Sequence, residues 1–215
     1  MTSVGLRIKK ALKSMVRFLE RVLPPPAFDR LYRSAFPVYR ALVWALYLAR
    51  GLMLYGWRDA ERWRMVRDIH RAMPYTLVGV GGLEATYQLA VRMMDDGVPG
   101  DFVELGVARG GCAALLGAVL FERRSSRAAD GRRLLLFDSY EGLPQPGPED
   151  LGRDLTTGDH VRPLPLGSCL GTLDEVRDLL LQQRGFPEPR VQFVKGWFQD
   201  TIPAISPGIG EAALL

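Results

Sequence analysis

Apolar residues recur along the chain in successive rhythms, and each change of rhythm marks a change of structure. Up to residue 23, Leu12, Met15, Val16, Leu19, Val22 and Leu23 keep a helical period while Lys9, Lys10, Lys13, Arg17 and Arg21 fill the other side. That spacing predicts a basic amphipathic helix. Pro24, Pro25 and Pro26 are expected to end it, because each removes an amide donor and fixes φ. Residues 36–57 are almost wholly apolar and aromatic, but Arg40 and Arg50 divide them into runs of 9 and 7 residues. A membrane-spanning helix needs roughly 18 or more apolar residues, and an Arg at mid-bilayer costs about 2.5–3.5 kcal/mol. The stretch therefore reads as a helix that lies in an interface, or packs on the body of the protein or on a second subunit.

After Pro74 helices alternate with short apolar strands, the pattern of a parallel sheet covered by helices. Leu83, Tyr87, Ala90 and Met94 mark a helix ending near Gly97, and Pro99 with Gly100 turns the chain into a buried strand at residues 102–107. A helix is predicted over residues 111–124, with Ala114, Leu115, Ala118 and Val119 on one face, and a second strand over residues 133–138. Thr172 and Glu175 have the spacing of a capping box ahead of Leu173, Val176, Leu179 and Leu180, and Gly185 closes that helix before a third strand at residues 191–195. Ala212, Ala213, Leu214 and Leu215 look like the start of a fourth strand. In such an incomplete sheet the third strand is expected at an edge and the first without a neighbour on one side, an arrangement prone to misfolding. Residues 144–171, rich in Pro and Gly, are too long for a simple connector and read as a binding loop. The expected organisation is a helical extension over residues 1–73 followed by an α/β domain over residues 74–215.

Charge sharpens that division. The sequence is 47% hydrophobic and 24% charged, so it is expected to fold around a core. Residues 1–74 hold 15 Lys and Arg against 5 Asp and Glu, net +10, whereas the remainder holds 13 against 19, net −6. A basic arm with an amphipathic helix predicts peripheral contact with an anionic membrane, not nucleic acid, and leaves room for a homo-oligomer. Cys112 and Cys169 belong to no CxxC or Cys/His cluster, so neither a zinc site nor a disulfide framework is supported, and a cytoplasmic setting with reduced thiols is expected. Cys112 falls in an apolar helical run and reads as a small core residue.

The chemistry concentrates where the first strand runs through Glu104, Leu105, Gly106, Val107, Ala108, Arg109 and Gly110 into the helix at Gly111. Small residues there let a ligand approach the backbone, and the helix start presents free amides. A dinucleotide fingerprint wants glycine at the first, third and sixth positions and an acid about 20 residues on. Here Ala108 occupies the middle position and the next strand-end acid is Asp138. Glu104 would repel a pyrophosphate but suits a cationic, amino-acid-bearing ligand, so the turn favours S-adenosylmethionine over NAD. Asp138, at the carboxyl edge of the sheet, is positioned to accept hydrogen bonds from ribose hydroxyls.

Four segments together resemble the macrocin O-methyltransferase family: Pro74 to Thr76, Gly97 to Gly111, Asp138 to Pro144, and Gly196 to Pro203. The resemblance runs from about residue 74 to the end of the chain and omits the basic arm. It implies a Rossmann-like class I methyltransferase sheet, S-adenosylmethionine as methyl donor, a magnesium ion that orients the acceptor, and a sugar hydroxyl of a glycoside or glycan as acceptor. Carried over by position, Glu104, Gly106, Arg109 and Gly110 would lie at the amino-acid part of the cofactor, Asp138 and Ser139 at the ribose, Thr76 over the methionine end, and Gly196 near the adenine. Ala108 stands where the family often has Trp. The carboxylates that hold magnesium are expected beyond residue 215, so neither a metal ligand nor a catalytic base is assigned, and this chain alone is expected to be inactive. His70 and His160 stay isolated; His160 lies in the long loop and reads as a solvated loop residue in preference to a substrate contact.

Overall fold

The computed structural model describes residues 14, 18, 22–123, 131–152 and 163–215. The predicted helix of the first 23 residues lies largely outside the described residues, as do Arg124 and His160. The chain divides into two compact units, Met1–Gly56 and Trp57–Leu215.

In the first unit, helix α1 spans Pro25–Tyr55 with Pro24 as N-cap. The prolines therefore start a helix, because a ring at the first positions removes only amides that have no partner there and presets φ. The apolar run from residue 36 lies inside this longer helix, which tolerates Pro37 and continues through Arg40 and Arg50.

The second unit opens with α2, Ala60–Ala72, whose N-cap Asp59 accepts a 2.9 Å bond from the Arg62 amide. Met65, Val66, Ile69 and Ala72 are buried, and α2 packs on α3, Val80–Asp95, and on α4, Gly111–Gly117. Its apolar face thus places it in the second unit, 17 residues ahead of the boundary read from the sequence at residue 74. Helix α4 continues as a π-helical turn, Ala118–Glu122.

The sheet is parallel, in the order β3-β2-β1-β4: β1 is Asp101–Leu105, β2 Leu134–Asp138, β3 Val191–Lys195 and β4 Ala212–Leu214. Leu134 to Phe137 of β2 are fully buried, as a strand covered on both faces requires. Below the sheet, Val103, Leu135, Phe137 and Val194 form a cluster closed by Ile202, Ile205 and Ile209 from α6, Phe198–Ile205, and the turn after it. Helix α5, Leu173–Arg177, has the predicted capping box: Thr172 Oγ1 accepts from the Glu175 amide at 3.3 Å and Glu175 accepts from the Thr172 amide at 3.0 Å.

Strand β3 lies at an edge, as expected, but β1 is not left open along its whole length. Asp101 pairs with Ala212 and Phe102 with Leu214 across a register shift. Gly100 permits this approach, since a Cβ there would collide with the Glu211 carbonyl. The buried Asp101 carboxylate is held by the Arg133 amide at 2.7 Å and its guanidinium at 2.6 and 2.9 Å, which locks the entry of β1 to that of β2.

Candidate functional site

The carboxyl ends of β1 and β2 meet in one hydrogen-bonded knot. Gly106 leaves β1 at φ +89° and donates to the Phe137 carbonyl at 2.9 Å. Ala108 at φ +47° and Gly110 at φ +84° complete a turn in which successive amides point inward. Asp138 Oδ2 accepts from the Val107 amide at 2.6 Å and the Ala108 amide at 2.9 Å. Its Oδ1 accepts from the Tyr140 amide at 2.8 Å, with the Ser139 hydroxyl 3.4 Å away. Asp138 therefore holds the glycine turn in place, a role that its position in the sequence does not reveal. The buried Ser139 hydroxyl also donates to the Gly142 carbonyl at 3.3 Å and accepts from the Glu141 amide at 3.2 Å. Gly196, at φ +144°, donates to the Asp138 carbonyl at 3.0 Å and so brings the end of β3 to the same edge.

Glu104 is the polar group left over. Its Oε2 has no accessible surface and no hydrogen-bond partner. Burial first, and the Asp138 charge second, push its carboxyl up to about 8. It faces a cavity of about 320 Å3 lined also by Leu105, Thr86 of α3, Cys112 and Leu116 of α4, and Leu214. Thr76 lies over the start of α4, its Oγ1 3.7 Å from Cys112 Sγ and accepting from the Val78 amide at 3.1 Å. Burial and the Glu104 charge raise the Cys112 thiol above its ordinary value. Cys112 is thus a wall residue of the cavity and not only a core residue. Its position one residue past the glycine turn was the available signal, and helical apolar spacing masked it.

Two predicted residues face elsewhere. Gly110 lies against α5 and the π-helical turn Asp178–Gln183 that continues it, where an added Cβ would sit 3.1 Å from Val176 and 3.2 Å from Leu179, so its missing side chain admits helix packing. Arg109 places its guanidinium 5.9 Å from the Tyr75 ring centroid. His70 is exposed on α2.

The long segment predicted as a binding loop returns to this turn. Leu143 and Gly167 to Ser168 exchange two 2.9 Å backbone bonds that close its base. Gly171 then rests on the backbone of Ala108 and Arg109 so closely that a Cβ would collide with the Ala108 carbonyl. Among the described residues, no group of three or more His, Cys, Asp or Glu side chains is placed to hold a metal ion. The magnesium ion implied by resemblance therefore has no ligand set there.

A parallel sheet covered by helices, with a left-handed glycine turn, an acid locked to that turn and a second acid lining an adjoining cavity, defines a Rossmann-like, class I methyltransferase domain. The chain belongs to the macrocin-O-methyltransferase (TylF) family, whose model matches residues 50–214. It is 32% identical over 155 residues to 8-demethyl-8-(2,3-dimethoxy-alpha-L-rhamnosyl)-tetracenomycin-C 4'-O-methyltransferase of Streptomyces olivaceus, covering 71% of this chain and 55% of that protein. It is 31% identical over 149 residues to demethyldecarbamoylnovobiocin O-methyltransferase of Streptomyces niveus, with 68% and 54% covered. Among solved structures, the O-methyltransferase NovP matches with a TM-score of 0.46 at 31% identity, over 60% of this chain and 50% of that one. The chain spans about half the length of the curated relatives it matches.

Proposed function

We propose that this chain binds S-adenosylmethionine at the ends of β1 and β2 and serves O-methylation of a sugar hydroxyl on a glycoside or glycan. The observation that carries the cofactor reading is Glu104 Oε2, shielded from solvent and without a hydrogen-bond partner on a half-buried residue beside the left-handed turn. A buried polar group without a partner is costly, and a cationic amino-acid moiety in the adjoining cavity would supply both a donor and a charge. When bound, the cofactor's sulfonium supplies an electrophilic methyl group. Glu104 and the backbone at Gly106 hold the amino-acid part, while Gly110, whose amide and carbonyl are taken up by Val107 and Ala114, shapes the turn behind it and Arg109 lies against Tyr75. Thr76 and Cys112 close over the amino-acid part. Asp138 and Ser139 stand nearest the ribose, where Asp138 shares its carboxylate between the turn and a hydroxyl, and Gly196 admits the adenine. The sugar acceptor rests on the rhamnosyl-bearing compound named in the 4'-O-methyltransferase of Streptomyces olivaceus to which this chain is similar. A cytoplasmic setting and magnesium dependence belong to the same proposal.

The runner-up reading is cofactor binding without catalysis. Both readings expect the chain to bind the cofactor. Calorimetry with S-adenosylhomocysteine and with NAD tests the shared part: the first binds and the second does not. Equal affinity for NAD would overturn the cofactor assignment. Methyl transfer to sugar acceptors with added magnesium supports the first reading and would overturn the second.

A further inference from the structure

Helix α1 carries a continuous apolar face that is open to solvent. Leu31, Val38, Leu42, Leu46 and Met53 are 43%, 69%, 58%, 62% and 87% exposed. At 100° per residue they fall, with Ala35, Ala45, Ala49 and Leu52, within an arc of about 120° that runs roughly 33 Å along the helix. Ser34 is the one polar residue in that arc. Arg40 lies on the opposite side, and Arg30 and Arg50 flank the arc at about 100° from its centre.

Three occupants compete for such a face. No helix among the described residues is long and apolar enough to cross a membrane, so α1 does not stand upright in a bilayer. A second copy of the chain would bring like charges together: the unit Met1–Gly56 holds 10 Lys and Arg against 2 Asp and Glu, net +8. Over Trp57–Leu215 the counts are 28 − 10 = 18 against 24 − 2 = 22, net −4, so the positive charge is confined to the unit that carries the open face. An anionic lipid surface satisfies both features, taking up the apolar arc while the flanking Arg50 reaches headgroups along its aliphatic stem. We propose that the apolar face of α1 docks the protein in the plane of an anionic phospholipid bilayer.

Flotation of the full chain with vesicles tests this. Binding is expected to vesicles containing phosphatidylglycerol, to be weak with phosphatidylcholine alone, and to fall as salt rises. Leu42→Glu with Leu46→Glu places two charges in the arc, and its partitioning should drop at least about tenfold, the loss of more than one buried leucine. Leu54→Glu, equally exposed but about 140° around the same helix, should change it by less than about twofold. Helical circular dichroism and binding of S-adenosylhomocysteine in the second unit check that each variant is folded. Absent wild-type binding, binding indifferent to headgroup charge, or a double variant that binds as well as wild type would each overturn the proposal. So would a wild-type dimer that the double variant converts to monomer without any vesicle binding, which would give the face to a second copy.

Discussion

A single half-buried carboxyl, one oxygen of which is shielded from solvent, sets the pH behaviour expected of this site. The folded value of Glu104, about 8, lies above its ordinary 4.5. Between those values the native chain holds a proton that the unfolded chain has released, so Glu104 contributes progressively less stability as pH rises from about 4.5 to 8. Glu104→Gln should therefore raise the melting temperature of the ligand-free protein at about pH 9 more than at about pH 5, by the equivalent of a few kcal/mol at about 1.4 kcal/mol per pKa unit. An equal effect at both pH values would contradict the protonated state. A cationic ligand reverses the balance by favouring the carboxylate, so affinity for S-adenosylhomocysteine should rise with pH up to about 8 and its binding should release protons, read by calorimetry in buffers of different ionisation heat. Asp138 is the other informative residue. Asp138→Ala strands the Val107 and Ala108 amides and should cost about 1–3 kcal/mol of stability. Whether it also touches ribose is separable: a ribose contact makes the binding loss shrink with a 2'-deoxy ligand, and a turn-holding role leaves it unchanged.

Elements with local signatures are legible in the residues themselves. The Thr172 and Glu175 pair marks the start of α5, and the run Val191–Lys195 marks β3 to the residue, because caps and apolar runs are written in neighbouring positions. The π-helical turns at Ala118–Glu122 and Asp178–Gln183 are not, since nothing in their residue types distinguishes them from an α-helix. The return of the long loop is also hidden. Gly171 looks like one more loop glycine until its contact with the Ala108 carbonyl is seen, 63 positions away along the chain. Gly171→Ala should therefore displace the turn and weaken S-adenosylhomocysteine binding at least about tenfold, the scale of one lost hydrogen-bonded contact set. Thr172→Ala, one position on, should cost about 0.5–2 kcal/mol of stability through the cap alone with little change in affinity. Equal effects of the two on binding would deny Gly171 its contact role.

At the scale of the whole molecule, charge and composition draw the chain's division in nearly the right place but not on the right element. Both Pro74 and the jump from net +10 to net −6 point to residue 74, while helix α2 is basic enough to be read with the arm. Its core-facing residues decide otherwise. Met65 is 4% exposed, Val66 6%, and Ile69 and Ala72 not at all. The segment behind them packs on the site itself, since a Cβ on Gly111 would meet Thr76 at 2.6 Å and the Ala72 carbonyl at 2.8 Å. Two truncated chains separate the readings. One beginning at Trp57 keeps α2 and should bind S-adenosylhomocysteine within about twofold of the full chain, because no residue assigned to the site is removed. One beginning at Pro74 exposes the partners of three large apolar side chains, each worth about 1.5–3 kcal/mol. That sum is comparable to the roughly 5–15 kcal/mol of a typical native state. It should fail to give a cooperative thermal transition and should not bind. Equal folding and affinity of the two would return α2 to the N-terminal extension and place the boundary at residue 74 after all.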